Sequence, residues 1–279
     1  MKTAIVLGTF DGLHRGHLAV LAEALPYHSV AVTFSLPPKA VITGDYQMLM
    51  MPDDRKNRLK KLGIKQVEMQ DFESVRSISA ADYLENLYKK YNPSRIVCGF
   101  NYRFGKDAQG DTTVLTDFCR EKKIELCVVS PQCHGGAVIS STLIREYIKN
   151  GEMERASSML YGGFSFTETV QHGDARGRTI GFPTANQAYP ELLVKPKFGV
   201  YISRVTVDGK RYDAITNIGI RPTYKTDNIT SETYIKDLSG DIYGKKVKTE
   251  LLRFVRAEQK FNSLSELKST IENDVKLLD

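Results

Sequence analysis

Cysteine is scarce in this 279-residue chain, and its spacing is unproductive. Cys98, Cys119, Cys127 and Cys133 form no C-x-x-C pair and have no paired histidines at zinc spacing. Neither a disulfide framework nor a zinc module is expected, and the thiols read as free, with Cys98 and Cys127 in apolar runs as core residues. No stretch reaches the roughly 18 apolar residues of a membrane span, and residues 1–10 lack a basic segment followed by an apolar one. No run of five or more like charges occurs, which argues against a nucleic-acid arm despite a net charge of +6 and a pI near 9.0. That positive excess suits phosphorylated small molecules. A G-x-G-x-x-G stretch is also missing, so a Rossmann dinucleotide site has no support. The segment Gly105 to Thr112 has the glycine spacing of a P-loop, but Asp111 stands where the phosphate-binding lysine must be. The expectation is a cytoplasmic protein acting on small molecules, with no membrane or nucleic-acid partner; self-association into a homo-oligomer stays open.

What is present divides in two. The length suits two domains, each with its own core, and 41% hydrophobic with 26% charged residues is ordinary for a globular chain. In the first half, β-rich apolar runs at Ala4–Leu7, Val30–Phe34, Gln66–Met69, Arg95–Cys98 and Ile124–Val129 alternate with helical patterns near His17–Leu25, Asp53–Leu62, Ala80–Tyr91 and Thr113–Lys123. This predicts an α/β, doubly wound parallel sheet, with ligands beyond the carboxyl ends of its strands. Further helical runs end near Asn150-Gly151 and cover Met153–Leu160. The glycine pair after Tyr161 marks a boundary, giving domains 1–160 and 161–279. Strand patterns follow at Phe164–Gln171, Val200–Val207, Tyr212–Asn217, Glu232–Lys236 and Lys246–Arg253, with a hairpin signal at Val207-Asp208-Gly209-Lys210. They predict a small antiparallel β-barrel. A closing helix starts at about Ser263, capped by Ser263 and Glu266, and its stripe of Leu264, Leu267, Ile271, Val275 and Leu278 reads as core packing.

Two stretches carry chemistry. The first strand runs into Gly8-Thr-Phe-Asp-Gly-Leu-His-Arg-Gly-His17, where His14 and His17 lie three apart at a helix start. That spacing puts both imidazoles on one face, beside unpaired backbone N–H groups that favour anions, so a triphosphate could rest there. The second stretch is Gly173-Asp-Ala-Arg-Gly-Arg-Thr-Ile-Gly-Phe-Pro-Thr-Ala-Asn186. Gly173, Gly177 and Gly181 allow close backbone approach, and Arg176 and Arg178 offer forked donors to phosphate. In an extended segment, Thr184 and Asn186 after Pro183 face the same way, as a metal site would need. A solvated loop leading into a strand is the alternative on spacing alone.

The segment Gly177 to Asn186 resembles the signature of riboflavin kinase, and nearly the whole chain resembles the bacterial two-domain enzyme that joins this kinase to an FMN adenylyltransferase. Gly8 to His17 resembles the F-D-G-x-H-x-G-H form of the nucleotidyltransferase motif, which places Gly8, Phe10, Asp11 and Gly12 in the turn at the nucleotide. The resemblance implies that His14 and His17 stabilise charge on the phosphates of ATP. It also implies nucleotide-binding roles for Asn101, in Gly99-Phe-Asn-Tyr-Arg-Phe-Gly105, and for Ser140, Ser141, Thr142 and Arg145, in Ile139-Ser-Ser-Thr-Leu-Ile-Arg145; the hydroxyls could cap the helix that follows while Arg145 faces phosphate. In the barrel, Asn217-Ile-Gly-Ile-Arg-Pro-Thr223 resembles the loop that approaches nucleotide and flavin, with Asn217 and Arg221 as contacts. Ser231 to Ile235 resembles the strand carrying the catalytic carboxylate, Glu232 here. Thr184 and Asn186 are the implied ligands of Mg²⁺, with ATP as co-substrate and riboflavin, FMN and FAD as substrates and products. The chain departs from the family at Leu36-Pro37-Pro38, where a Pro-His-Pro segment is expected. A kinase with an impaired adenylyltransferase domain, a non-catalytic flavin- or RNA-binding regulator, and a nucleotidyltransferase with another acceptor are the rival readings.

Overall fold

Apolar residues on both faces of a strand require cover on both sides, and β1 (Thr3–Leu7) has it. Ile5 and Leu7 pack with Val30, Val32, Ile96 and Cys98 beneath helices α5 (Ala80–Tyr91) and α6 (Thr112–Lys122). Ala4 and Val6 pack on the other face with Ala31 and Val97 against α1 (Arg15–Ala22) and α3 (Pro52–Lys61). The sheet is wholly parallel, in the order β3-β2-β1-β4-β5, with β2 at His28–Phe34, β3 at Gln66–Gln70, β4 at Arg95–Gly99 and β5 at Glu125–Val129. This is the doubly wound arrangement that the alternating pattern predicts. Two short helices, α2 (Pro38–Thr43) and α4 (Phe72–Val75), and a hairpin of β6 (Cys133–His134) and β7 (Ala137–Val138) have no such pattern behind them. The computed structural model describes residues 2–44, 46–173, 177, 180–222 and 227–278. It divides into two compact units, Met1–Ser141 and Thr142–Asp279.

All four cysteines are free. Cys98 and Cys119 are buried, and desolvation raises their thiols to about 12 and about 11, so neither forms thiolate readily. Cys127 is half-buried against the second face of the sheet. Asp111, at the P-loop look-alike, caps α6 by accepting from the N–H groups of Thr113 and Val114 at 2.9 and 3.1 Å, a structural task with no phosphate in it.

The second unit takes in helix α7 (Ser141–Asn150) from Thr142 onward, and then α8 (Met153–Met159). An antiparallel six-stranded sheet follows, in the order β8-β13-β10-β11-β12-β9. Its strands are β8 (Phe164–Thr169), β9 (Thr184–Ala188), β10 (Gly199–Val207), β11 (Lys210–Pro222), β12 (Asp227–Ile235) and β13 (Lys246–Arg256). The hairpin between β10 and β11 turns on Asp208 and Gly209, both at positive φ (47° and 79°), as a type I′ turn requires.

One buried side chain joins the two edges of the sheet, beside a backbone bridge in which the Gln171 N–H donates to the Asn186 carbonyl at 2.8 Å. Gln187 on β9 is 2% exposed, and its Nε2 donates to the carbonyls of Glu168 and Val247, both at 2.8 Å, while its Oε1 accepts from the Thr249 hydroxyl at 2.8 Å. With that bridge, these bonds carry the edge strand β9 across to β8 and β13, with which it forms no continuous ladder. Stranding a buried polar group costs about 1–3 kcal/mol, so Gln187→Leu should lower the melting midpoint of this unit by several degrees in a circular dichroism melt. An unchanged midpoint would show that the amide is not the clasp. The closing helix, α9 (Leu264–Val275), is capped by Ser263, whose Oγ accepts from the Glu266 N–H at 3.1 Å. Its apolar stripe is not core as expected. Leu264 is 66% exposed and Leu267, Ile271, Val275 and Leu278 are half-buried, because α9 lies on the surface of the barrel and buries only one edge.

Candidate active sites

The carboxyl end of β1 opens into a strained turn. Phe10 and Leu13 hold positive φ (49° and 47°) without being glycine, and Gly12 lies between them at 85°. Such conformations cost about 1–3 kcal/mol each and persist where the surroundings impose them. Here the turn brings Asp11, fully buried, to accept from the Leu49 N–H at 2.9 Å and the Tyr46 hydroxyl at 3.1 Å. A Cβ on Gly8 would approach the Phe10 ring to 3.0 Å. The Ser141 hydroxyl, at the first residue of α7, donates to the Asp11 carbonyl of this turn at 3.0 Å.

His14 caps α1, its Nδ1 accepting from the His17 N–H at 3.3 Å, which leaves the proton of the neutral ring on Nε2. The two imidazoles stack with centroids 3.6 Å apart, and Phe10 meets His17 edge-on at 5.4 Å. Gly16 permits the stack, since a Cβ there would lie 3.1 Å from the His14 ring. His17 Nδ1 is buried with no partner among the described residues. Burial first, then the positive charge that His14 or Arg55 would place beside it, holds the His17 imidazole well below the ordinary value of 6.5, so it is neutral at physiological pH. Asn101 follows β4, the neighbour of β1, and is exposed. Thr142 and Arg145 lie on α7, within the second compact unit. Leu36-Pro37-Pro38 starts α2, with Pro38 in its first turn, where a missing N–H is tolerated.

In the barrel, register does the assembly. Asn217 on β11, Glu232 on β12 and Asn186 on β9 are directly opposed across three strands and share one face of the sheet. Thr184 lies two residues from Asn186 on the same face, and the Asn186 Nδ2 donates to the Thr184 carbonyl at 3.3 Å. The Oδ1 atoms of Asn186 and Asn217 are buried without partners among the described residues, one on each side of the Glu232 strand. The amide of Asn217 is oriented by donation from Nδ2 to Glu258 at 3.2 Å, and Gly219 makes room for that carboxylate. Gly173 and Gly177 crowd the same place: a Cβ at Gly173 would come within 2.5 Å of the Asn186 amide, and one at Gly177 within 2.2 Å of the Phe182 carbonyl. Gly181 turns at φ 90°, and Pro183 is exposed just before β9. Arg176 and Arg178 lie outside the described residues. Arg221, on β11, is described by its backbone alone, paired with Asn228 of β12.

Residues 161–279 match the riboflavin kinase family model, and residues 1–143 match that of FAD synthetase. A bifunctional riboflavin kinase/FMN adenylyltransferase of Listeria monocytogenes is 34% identical over 98% of this chain and 90% of its own. The chain belongs to the bifunctional riboflavin kinase/FMN adenylyltransferase family. The relative of that name in Escherichia coli is 31% identical, with 97% of this chain and 90% of its own covered. A solved Streptococcus pneumoniae chain, named as a macrolide-efflux protein, is 30% identical and superposes with a TM-score of 0.90 over 99% of this chain and 93% of its own. The protein is therefore a transferase with two ATP-dependent activities on flavins, phosphorylation of riboflavin and adenylylation of FMN.

One residue at the first site has no motif to announce it. Arg55 on α3 is fully buried, and its Nη2 donates to the carbonyls of Phe34 and Ser35 at the end of β2. Its neighbours in sequence are charged, so the pattern gives a solvated helix.

Proposed function

We propose that the barrel phosphorylates riboflavin with Glu232 as base and that the α/β domain adenylylates the product with His14, His17 and Arg145 around the phosphates. In the first reaction Glu232 takes the proton of the ribityl 5′-hydroxyl as its oxygen attacks the γ-phosphorus of ATP, giving FMN and ADP. In the second, a phosphate oxygen of FMN attacks the α-phosphorus of another ATP, and pyrophosphate leaves as FAD forms. His14 presents its Nε2–H, and the neutral His17 its own ring donor, to oxygens on which charge grows. Gly8, Phe10, Asp11, Gly12, Asn101, Ser140, Ser141 and Thr142 hold the nucleotide of this second reaction. Gly173, Gly177, Gly181, Pro183, Asn217 and Arg221 frame the substrates of the first, with Arg176 and Arg178 on phosphate.

The observation that supports the kinase site most is the row Asn217, Glu232, Asn186, a carboxylate between two amide oxygens that lack partners. Hard oxygen donors such as the Asn186 Oδ1 and the Thr184 hydroxyl beside it suit Mg²⁺. When bound, Mg²⁺ would offset charge on the phosphates of ATP. Outer-shell partners alone cost about 10–100-fold in metal affinity, so Asn186→Ala should raise the Mg²⁺ concentration needed for half-maximal FMN formation by about tenfold or more. FAD formation from supplied FMN should keep its Mg²⁺ dependence. If both activities shift together, or neither shifts, the assignment of Asn186 fails. The same reading assigns the kinase to residues 161–279 and adenylyl transfer to residues 1–160. It puts the protein in the cytoplasm with riboflavin, FMN and ATP as its partners and no nucleic acid. Among the described residues, no helix is long and apolar enough to cross a membrane.

A further inference from the structure

Arg55 is the bulkiest fully buried side chain among the described residues, and it is badly satisfied there. One of its terminal nitrogens grips two carbonyls, Phe34 and Ser35, while Nε and Nη1 have no partner. Removing a guanidinium from water costs several kcal/mol, and an apolar side chain of similar volume often serves a core as well or better. Packing alone therefore gives no reason for an arginine here. Its surroundings do. The carbonyls it grips end β2 and lead directly into Leu36-Pro37-Pro38, where the family resemblance calls for a histidine and this chain has none. After burial and His14, its charge is a further cause that holds the His17 imidazole low; burial lowers Arg55 itself, against Asp11 in the strained turn and Tyr46, which donates to Asp11.

We propose that Arg55 is a positioning residue for adenylyl transfer: it fixes the end of β2 and supplies, from beneath the site, the positive charge that the loop histidine does not. This rests on the adenylyltransferase assignment of the α/β domain. Arg55 touches no substrate, since it is closed to solvent. It acts through the fixed loop and through His17. The groups facing His17 are the stacked His14 ring, the edge of Phe10 and the charge of Arg55. Withdrawing that positive charge favours the imidazolium, so His17 would take up a proton at higher pH than in the parent protein.

The test compares the full chain with Arg55→Met and Arg55→Lys, following FAD formation from supplied FMN and ATP across pH, with melting curves on each. Arg55→Met should lower kcat by about tenfold or more at about pH 8, leave both KM values within about threefold, and move the acidic limb of the rate profile to higher pH. Arg55→Lys should leave that limb where the parent has it. A wild-type rate and limb in Arg55→Met would overturn the proposal, and so would equal losses in both variants with the limb unmoved, which is what a purely structural arginine gives. Should Arg55→Met fail to fold, nitrogen NMR of the histidine rings decides. A His17 that charges at higher pH in Arg55→Gln than in the parent and Arg55→Lys supports the proposal, and the same titration in all three overturns it. A parent that forms no FAD from FMN would remove the underlying activity and the proposal with it, a result distinct from an active parent indifferent to Arg55.

Discussion

Glu232→Gln should all but abolish FMN formation while FAD synthesis from supplied FMN continues at the parent rate. The ribityl hydroxyl is a poor nucleophile until a base begins to take its proton, and positioned general bases contribute about 10²–10⁴-fold, so kcat for phosphorylation should fall within that range. An amide in place of the carboxylate keeps the side-chain volume and the pairing of β12 with β11 and β9, so the barrel should melt as before. The loss should fall on kcat and leave KM for ATP nearly unchanged, because Glu232 is assigned to proton transfer and not to the nucleotide. Coupled rates of riboflavin phosphorylation at saturating ATP check this. A variant that phosphorylates riboflavin normally, or that loses both activities, would show Glu232 to be a structural carboxylate.

His17→Ala should do the reverse. Removing one preorganised donor from developing phosphate charge costs about 10²–10³-fold, so FAD synthesis should drop by that factor with FMN formation intact. His17 also predicts a pH profile for the parent. Burial and neighbouring positive charge depress its pKa, so the imidazole stays neutral as pH falls through 6.5, where an ordinary histidine would charge. The rate of FAD synthesis should therefore show no acidic limb at 6.5 from this residue, and any such limb should appear at lower pH. A limb at the ordinary histidine value that disappears in His17→Ala would contradict the geometry of the stacked pair.

Much of this was legible in the sequence, for physical reasons that also mark where legibility stopped. The parallel sheet announces itself because strands such as Thr3–Leu7 are covered on both faces, which leaves unbroken apolar runs. The glycines at 173 and 177 read from sequence as room for a ligand, whereas in the fold the room at each is taken by the chain itself: a side chain there would collide with Asn186 or Phe182. Strand β11 runs on to Pro222, past the expected end at Asn217, because Gly219 and Pro222 weaken strand patterns while the ladder with β12 holds them. Strand β9, Thr-Ala-Asn-Gln-Ala, has no large apolar side chain, and its place rests on partners far off in sequence, the β12 ladder and the Gln187 bond to Val247, 60 residues away. Arg55 is the same case on a charged helix: nothing local separates a buried guanidinium from a solvated one, and only the carbonyls of β2 decide it. The row of Asn217, Glu232 and Asn186 likewise exists only once three strands are in register.

Chromatography of the flavins formed from riboflavin, ATP and Mg²⁺ is the most direct measurement, run side by side on the parent, Glu232→Gln and His17→Ala. Two independent phosphate sites on one chain predict FMN followed by FAD in the parent, unchanged riboflavin in Glu232→Gln, and FMN that accumulates without FAD in His17→Ala. A parent that stops at FMN, or variants that lose both products together, would contradict that account.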